Sequence, residues 1–163
     1  SFLQIDRSGS VNVSKLSARP HVTAGAGGFV DITARAKKIV FSGFFNAGAK
    51  LSLNEGGIVI EREGKVKKVV EEVEHVSFSG RRAVSQGQDI TYVTERCVMK
   101  LTPDGLMVTE IAPGIDLERD VLGQSEIPLA VAADLKVTPA ALYLDRPMGL
   151  ALNGGASLGE SHG

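Results

Sequence analysis

The chain has 163 residues, a formal charge of −1 and a sequence pI near 6.3. That length suits one domain with a sizeable core, and the balanced charge gives no electrostatic footprint for nucleic acid. The sequence has no run of about eighteen apolar residues to span a membrane and no secretory pattern of a basic start followed by an apolar stretch. Cys97 is the only cysteine, which excludes an internal disulfide framework or a cysteine-based metal site and points to a reducing, cytoplasmic compartment. Few aromatics, no Trp and many Val, Ile, Ala and Gly predict an α/β domain. The chain opens on Ser1-Phe2-Leu3 without Met, and an apolar strand pattern starts at once. The expectation is a fragment of something longer.

In chain order, Phe2–Ile5 and Ser10–Val13 flank the turn-forming Asp6-Arg7-Ser8-Gly9 and read as a hairpin. After a polar connection comes Thr23-Ala24-Gly25-Ala26-Gly27-Gly28, then the apolar run Phe29-Val30-Asp31-Ile32-Thr33. Three glycines in four positions leave a backbone with no side chains to hold a ligand off. If Phe29 onward is helical, the loop's N–H groups lie at the positive end of that helix, a setting for an oxyanion or phosphate. A bare strand-to-helix turn fits the same letters. The loop is neither the dinucleotide fingerprint nor a P-loop.

Phe29, Ile32 and Thr33 at helical spacing predict a short helix to Ala36, with Lys37 and Lys38 at its end. Ile39-Val40-Phe41 has the pattern of a strand buried on both faces. Lys50–Leu53 and Ile58–Glu61 flank Asn54-Glu55-Gly56-Gly57 as a second hairpin. In Val66–Val76 the helical spacing and the β-branched composition conflict, and the latter predicts a long bent strand. Arg81–Gln88 reads as a polar, flexible insert. Asp89–Leu101 reads as a strand, Thr102-Pro103-Asp104-Gly105 as a turn and Leu106–Ile111 as the partner strand. Asp116 can cap a short helix over 117–122, Leu129–Leu135 reads as a strand, and a flexible Gly-rich tail is expected from Met148 onward, so that residues 1–150 form the domain and 151–163 the tail.

The three histidines, His21, His75 and His162, lack metal-ligand spacing, so no metal site is expected and solvated or structural roles are. Cys97 lies mid-strand among apolar residues, as an inert core thiol does. Glu95, Glu110, Asp116 and Asp120 sit near strand ends, where carboxylates are usually rim groups or caps; Glu110, ahead of Ile111-Ala112-Pro113-Gly114, is the most site-like. Lys65, Lys67, Lys68, Arg81 and Arg82 alternate with Glu71, Glu72 and Glu74 and read as a solvated face.

Five stretches in order resemble the type I acyl-CoA transferases. They are Phe2-Leu3-Gln4-Ile5-Asp6-Arg7-Ser8-Gly9-Ser10-Val11-Asn12-Val13-Ser14, the glycine loop through Thr33 followed by Lys37-Lys38-Ile39-Val40-Phe41, Phe78-Ser79-Gly80, Tyr92-Val93-Thr94-Glu95-Arg96-Cys97-Val98, and Glu110-Ile111-Ala112-Pro113-Gly114-Ile115-Asp116-Leu117-Glu118-Arg119-Asp120-Val121-Leu122. The third is typical of the short-chain branch that includes propionate and acetoacetate CoA-transferases. The resemblance implies an α/β fold with a mixed, partly parallel sheet, β-hairpins and few helices, being part of the family's β-half. It implies CoA exchange between a short-chain acyl-CoA and a carboxylic acid through a glutamyl-CoA thioester, with CoA as substrate and no tightly bound cofactor. The family's nucleophile lies in a Glu-Asn-Gly motif, which these residues lack. The expectation is therefore no catalytic residue in this chain, inactivity alone, an N-terminal part of the same protein as partner, and association into a homo-oligomer. By resemblance, Gly25, Gly27 and Gly28 form the oxyanion and CoA loop. A hydrolase of the same fold and a non-catalytic acyl-CoA or nucleotide-binding or subunit-contact module are the alternatives.

Overall fold

A computed structural model describes residues 1–18, 25 and 27–148. Two pieces of sheet share one core. The first is small: β1 (Gln4–Asp6) pairs antiparallel with β2 (Val11–Asn12). The Asp6–Gly9 turn is held by the Asp6 carboxylate, which accepts from Ser8 N at 2.9 Å, Ser8 Oγ at 2.7 Å and Ser10 N at 3.0 Å. The expected hairpin is therefore present.

Helix α1 (Phe29–Arg35) follows the glycine loop, with Asp31 in its first turn and Arg35 in its last. The dipole favours both charges. Thr33 is buried and Phe29 half-buried, but Ile32 is 70% exposed, so the inward stripe is narrower than the spacing predicted. Next comes β3 (Lys38–Ser42). It is not buried on both faces, because it is the edge strand of the main sheet and Val40 is 58% exposed.

Strands β4 (Asn46–Ala47), β5 (Lys50–Asn54), β6 (Gly57–Arg62), β7 (Val66–Lys67) and β8 (Val69–Val70) follow. β5 and β6 form the predicted second hairpin. The long bent strand over Val66–Val76 is corrected to two short ones, β7 on β4 and β8 parallel to β1. Each pairs with a different partner, and Val69, Val70 and Val73 reach the core while Val66 and Val76 do not. The flexible insert is corrected to helix α2 (Gly80–Ser85), capped by the Ser79 hydroxyl accepting from Arg82 N at 3.3 Å and anchored by fully buried Ala83. Gly80 presses so close to the first turn that a Cβ there would lie 2.0 Å from Ser8 O.

The segment Asp89–Leu101 is corrected from one strand to two, β9 (Asp89–Val93) and β10 (Cys97–Thr102), antiparallel about Thr94-Glu95-Arg96. The Thr94 hydroxyl stabilises that reversal by accepting from Arg96 N and Cys97 N at 3.2 and 3.0 Å. β11 (Gly105–Ile111) completes the predicted hairpin, Asp116 caps the single π-helical turn Leu117–Val121 by accepting from Arg119 N at 2.8 Å, and β12 (Ala130–Val137) returns parallel to β11. The main sheet runs β12-β11-β10-β9-β3, with β3 parallel to β9. The expected mixed, partly parallel sheet with few helices is the fold observed.

The core lies between this sheet and the β2-β1-β8 sheet. Phe41 stacks on Tyr92 at 5.6 Å between ring centroids and meets Phe78 edge-on at 5.0 Å, among Ile5, Val11, Ile90 and Met99. Aromatic pairs at these separations add about 0.5–1.5 kcal/mol beyond their area burial. The expected tail falls outside the described residues.

Candidate functional site at the carboxyl edge of the parallel strands

Local chain direction decides where the glycine loop lies. Two residues separate the end of α1 from β3, so α1 runs back along the sheet from the carboxyl end of β3 to its amino end. Side-chain contacts agree at both ends. Phe29 in the first turn of α1 meets Phe41 near the end of β3 at 6.0 Å, while Gln88, just before β9, donates to Thr33 O and Ala36 O at the last turn of α1 at 2.9 and 2.6 Å. Gly27 and Gly28 therefore sit at the carboxyl edge of the parallel β3/β9 pair. In open α/β sheets that edge is where ligands bind.

The loop is open. Gly25, Gly27 and Gly28 are exposed, and a Cβ on Gly25 or Gly27 would meet nothing within 4 Å. Gly27 has φ +48°, in the left-handed region that glycine enters without strain, and Gly28 takes the helix N-cap position with its carbonyl accepting from Ile32 N. These backbone groups join no strand ladder.

Two more loops leave the same edge. β3 continues into Gly43-Phe44-Phe45-Asn46 and β9 into Thr94-Glu95-Arg96, and the pair stays zipped by Gly43 N donating to Val93 O at 3.0 Å. Glu95 Oε2 accepts from Phe45 N at 2.8 Å and Oε1 from Arg96 Nε at 3.0 Å. Arg96, with no exposed side-chain surface, reaches on to Glu63 in a bidentate fork of two 2.7 Å bonds and to Asp120 O at 2.9 Å. Every arm of this guanidinium is directed, which is what makes a buried arginine tolerable. The fork holds the Glu63 carboxyl down to about 2. Burial opposes the Arg96 charge, yet the bonds to Glu63 and Glu95 outweigh it and its pKa stands above the ordinary value. Asp120 is buried, takes two bonds from Arg119 at 2.7 and 2.8 Å, and is held below its ordinary pKa by them.

Beside this network, Lys68 is only 8% exposed, its ammonium 4.3 Å from the centre of the Phe2 ring. Phe2 in turn packs on Gly43, where a Cβ would lie 3.1 Å from the ring. Burial lowers the Lys68 pKa, and the Glu95 charge works the other way. Lys68 thus departs from the expected solvated face.

Of the remaining sequence candidates, Glu110 is half-buried near the carboxyl end of β11, opposite Lys136 in the ladder and, through Val98 and Val93, in one row with Ser42, so it lies at this same edge but three strands away from β3. Asp116 is a cap and His75 is exposed; His21 and His162 lie outside the described residues. Cys97 is buried, its thiol pushed up to about 12 by desolvation, in line with an inert core role. Among the described residues no three His, Cys, Asp or Glu gather as a metal site, and no helix is long and apolar enough to cross a membrane. A wide cleft of about 740 Å³ opens elsewhere, between Asp6–Ser10, Glu71–Glu72 and the β10–β11 turn. The Arg7–Glu71 ion pair at 3.0 Å is solvated and lies in its wall, so the carboxyl edge is the stronger site. Sequence reading missed Arg96, Glu63 and Lys68. Their one-letter context is that of surface charge, and only the register of β9 and the β7–β8 break turns them inward.

No family model matches the chain. It is 45% identical over 150 residues to the caffeate CoA-transferase of Acetobacterium woodii, covering 90% of this chain and 28% of that protein. It is 40% identical over 153 residues to the acetate CoA-transferase YdiF of Escherichia coli (strain K12), covering 93% of this chain and 28% of that protein. The fold matches the acyl-CoA transferase YdiF apoenzyme of Escherichia coli O157:H7 with a TM-score of 0.87 and 39% identity, over 93% of this chain and 29% of that one; a thioester complex of the same enzyme with CoA matches equally. Glutaconate coenzyme A-transferase of Acidaminococcus fermentans, 16% identical with a TM-score of 0.60 over 85% of this chain and 51% of that one, shares the fold. The chain spans a little over a quarter of the length of the curated relatives it matches. In sequence and in fold the chain is similar to one part of these CoA-transferases, consistent with a partial CoA-transferase of the type I family.

Proposed function

We propose that this chain supplies the oxyanion-holding edge of an enzyme that moves CoA between a short-chain acyl-CoA and a carboxylic acid. The observation that carries the reading is the exposed backbone of Gly25, Gly27 and Gly28, outside any ladder, with Gly27 and Gly28 at the carboxyl edge of β3. A glutamate carboxylate from a part of the enzyme beyond this chain attacks the thioester carbonyl carbon. Negative charge develops on the carbonyl oxygen, and the N–H groups around Gly27 donate to it. Backbone donors aimed at such charge lower a barrier by about 3–4 kcal/mol. The C–S bond then breaks, leaving an acyl-glutamyl anhydride and CoA thiolate. The thiolate attacks the glutamyl carbonyl, expels the first carboxylic acid as its carboxylate and forms glutamyl-CoA thioester. The incoming carboxylate attacks that thioester, and the same two steps in reverse release the new acyl-CoA and regenerate the glutamate.

Gly25 and Gly28 let the loop lie against bound CoA, and CoA acts as substrate. The chain alone is inactive. Val30 and Ile32 on α1, Val40 on the free edge of β3 and Phe44 beyond it are all more than half exposed, apolar surface suited to cover by the rest of the enzyme or by a second copy. A cytoplasmic setting accords with a buried free thiol.

The test is to extend the chain upstream through the family's Glu-Asn-Gly region and assay CoA exchange between acetyl-CoA and propionate. Exchange with ping-pong kinetics, together with an enzyme thioester trapped by hydroxylamine or borohydride, is the expected result. Neither exchange nor trapped thioester, in a folded protein, would refute the reading; release of free acid with water as acceptor would move the enzyme to the hydrolases.

A further inference from the structure

Four charged side chains are buried among the described residues: Asp6, Lys68, Arg96 and Asp120. Asp6 accepts three hydrogen bonds, and Arg96 and Asp120 are ion-paired. Lys68 has neither a hydrogen-bond acceptor nor a carboxylate at salt-bridge distance for its ammonium among the described residues. Glu95, whose charge acts on it, is already committed through both oxygens to Phe45 N and Arg96 Nε. A desolvated, unpaired ammonium is costly, and a single aromatic face offsets only part of that cost. The placement adds direction. Lys68 lies over Phe2, Phe2 lies on Gly43, and Gly43 is the first residue past the carboxyl end of β3, the edge that also carries the glycine loop.

We propose that Lys68 holds a carboxylate at this edge, placing it for attack on, or departure from, the carbonyl whose oxygen the glycine loop receives. This inference rests on the transfer reading above. A carboxylate fits better than a phosphate, because one ammonium beside Glu95 offers a single positive charge and no fork of donors. The carboxylate can come from the acid substrate or from a glutamate in the part of the enzyme beyond this chain, and kinetics separate the two.

The experiment uses the full-length enzyme containing this chain, with K68M and K68R, and measures melting temperature, exchange kinetics with acetyl-CoA and propionate, and the rate of thioester formation from acetyl-CoA alone. K68M removes an unpaired buried charge, so its melting temperature is expected to hold or rise while kcat/KM falls by about 30-fold or more. K68R, which keeps the charge, recovers part of the loss. If the acid substrate is the ligand, the KM for propionate rises about tenfold while thioester formation is unchanged; if an enzyme glutamate is the ligand, thioester formation slows about tenfold at an unchanged KM for propionate. Kinetics of K68M within about twofold of the parent in both arms would overturn the proposal, as would a loss of activity that merely tracks a lowered melting temperature. An inactive parent enzyme would instead refute the transfer reading itself, a result visible before any variant is made.

Discussion

Two sets of glycines in this molecule look alike in sequence and do opposite things. Gly80 and Gly114 are packed against backbone: a Cβ on Gly80 would lie 2.0 Å from Ser8 O, and one on Gly114, with φ +85°, 2.4 Å from Ile58 O. Gly25 and Gly27 face open space, with nothing within 4 Å of a Cβ. The first pair is required by the fold. Packing requires nothing of the second pair, and only the φ of +48° at Gly27 asks for glycine on conformational grounds. Gly25 and Gly27 are thus free of packing demands and are the ones proposed to meet the thioester, whereas the Gly80 contact and the Arg96 network are cement.

That contrast can be broken by substitution. In the cement, Arg96→Met strands the Glu63 and Glu95 carboxylates and is expected to destabilise by about 3–5 kcal/mol, measured by urea unfolding. Gly80→Ala, forced against the Asp6–Gly9 turn, is expected to cost about 1–3 kcal/mol or more in the same assay. Stability of the parent should also fall with acid through Glu63. Its folded pKa of about 2 lies below the ordinary 4.5, so its contribution is complete above pH 4.5 and is lost as pH drops toward 2. Glu63→Gln should be less stable at neutral pH and show a flatter decline over that window; an unchanged acid profile would mean that the fork to Arg96 does not stabilise the fold.

In the open loop the expected effect moves from stability to activity. Gly27→Ala should cost only about 1 kcal/mol, from its left-handed backbone. Gly25→Ala should leave stability within about 0.5 kcal/mol yet lower CoA exchange in the full-length enzyme by about 100-fold, as a displaced reacting group does. Full activity in Gly25→Ala would remove the loop from the site. The smallest expected effect is at Cys97: buried, with its thiol at about 12, it should resist alkylation at pH 8 until the chain unfolds.

Elements whose signal is local were legible. The Asp6–Gly9 turn, the Pro103-Asp104-Gly105 turn, the Asp116 cap and the helix after the glycine loop are each specified by residues within four positions of one another, and all are present. Elements whose signal depends on a partner were not. The valines of 66–76 have strand propensity throughout, but β4 and β1 each offer only two residues of ladder, so the segment breaks. Ser79 caps a helix in a stretch that reads as loop, because Ala83 finds a buried seat against β10 and the first turn.

The sequence by itself determined the resemblance to CoA-transferases, the mixed α/β class and the glycine-rich loop, because motifs and turn chemistry act over a few residues. Only the tertiary structure decided which charges are inside. Glu63, Glu95 and Arg96 meet from the segment just after β6 and the β9–β10 turn, 33 residues apart at the widest, and Lys68 turns in where β7 and β8 take different partners. Burial of a charge is set by what packs over it and not by its neighbours in the chain, so a letter that reads as surface becomes, beside the carboxyl end of β3, a buried charge.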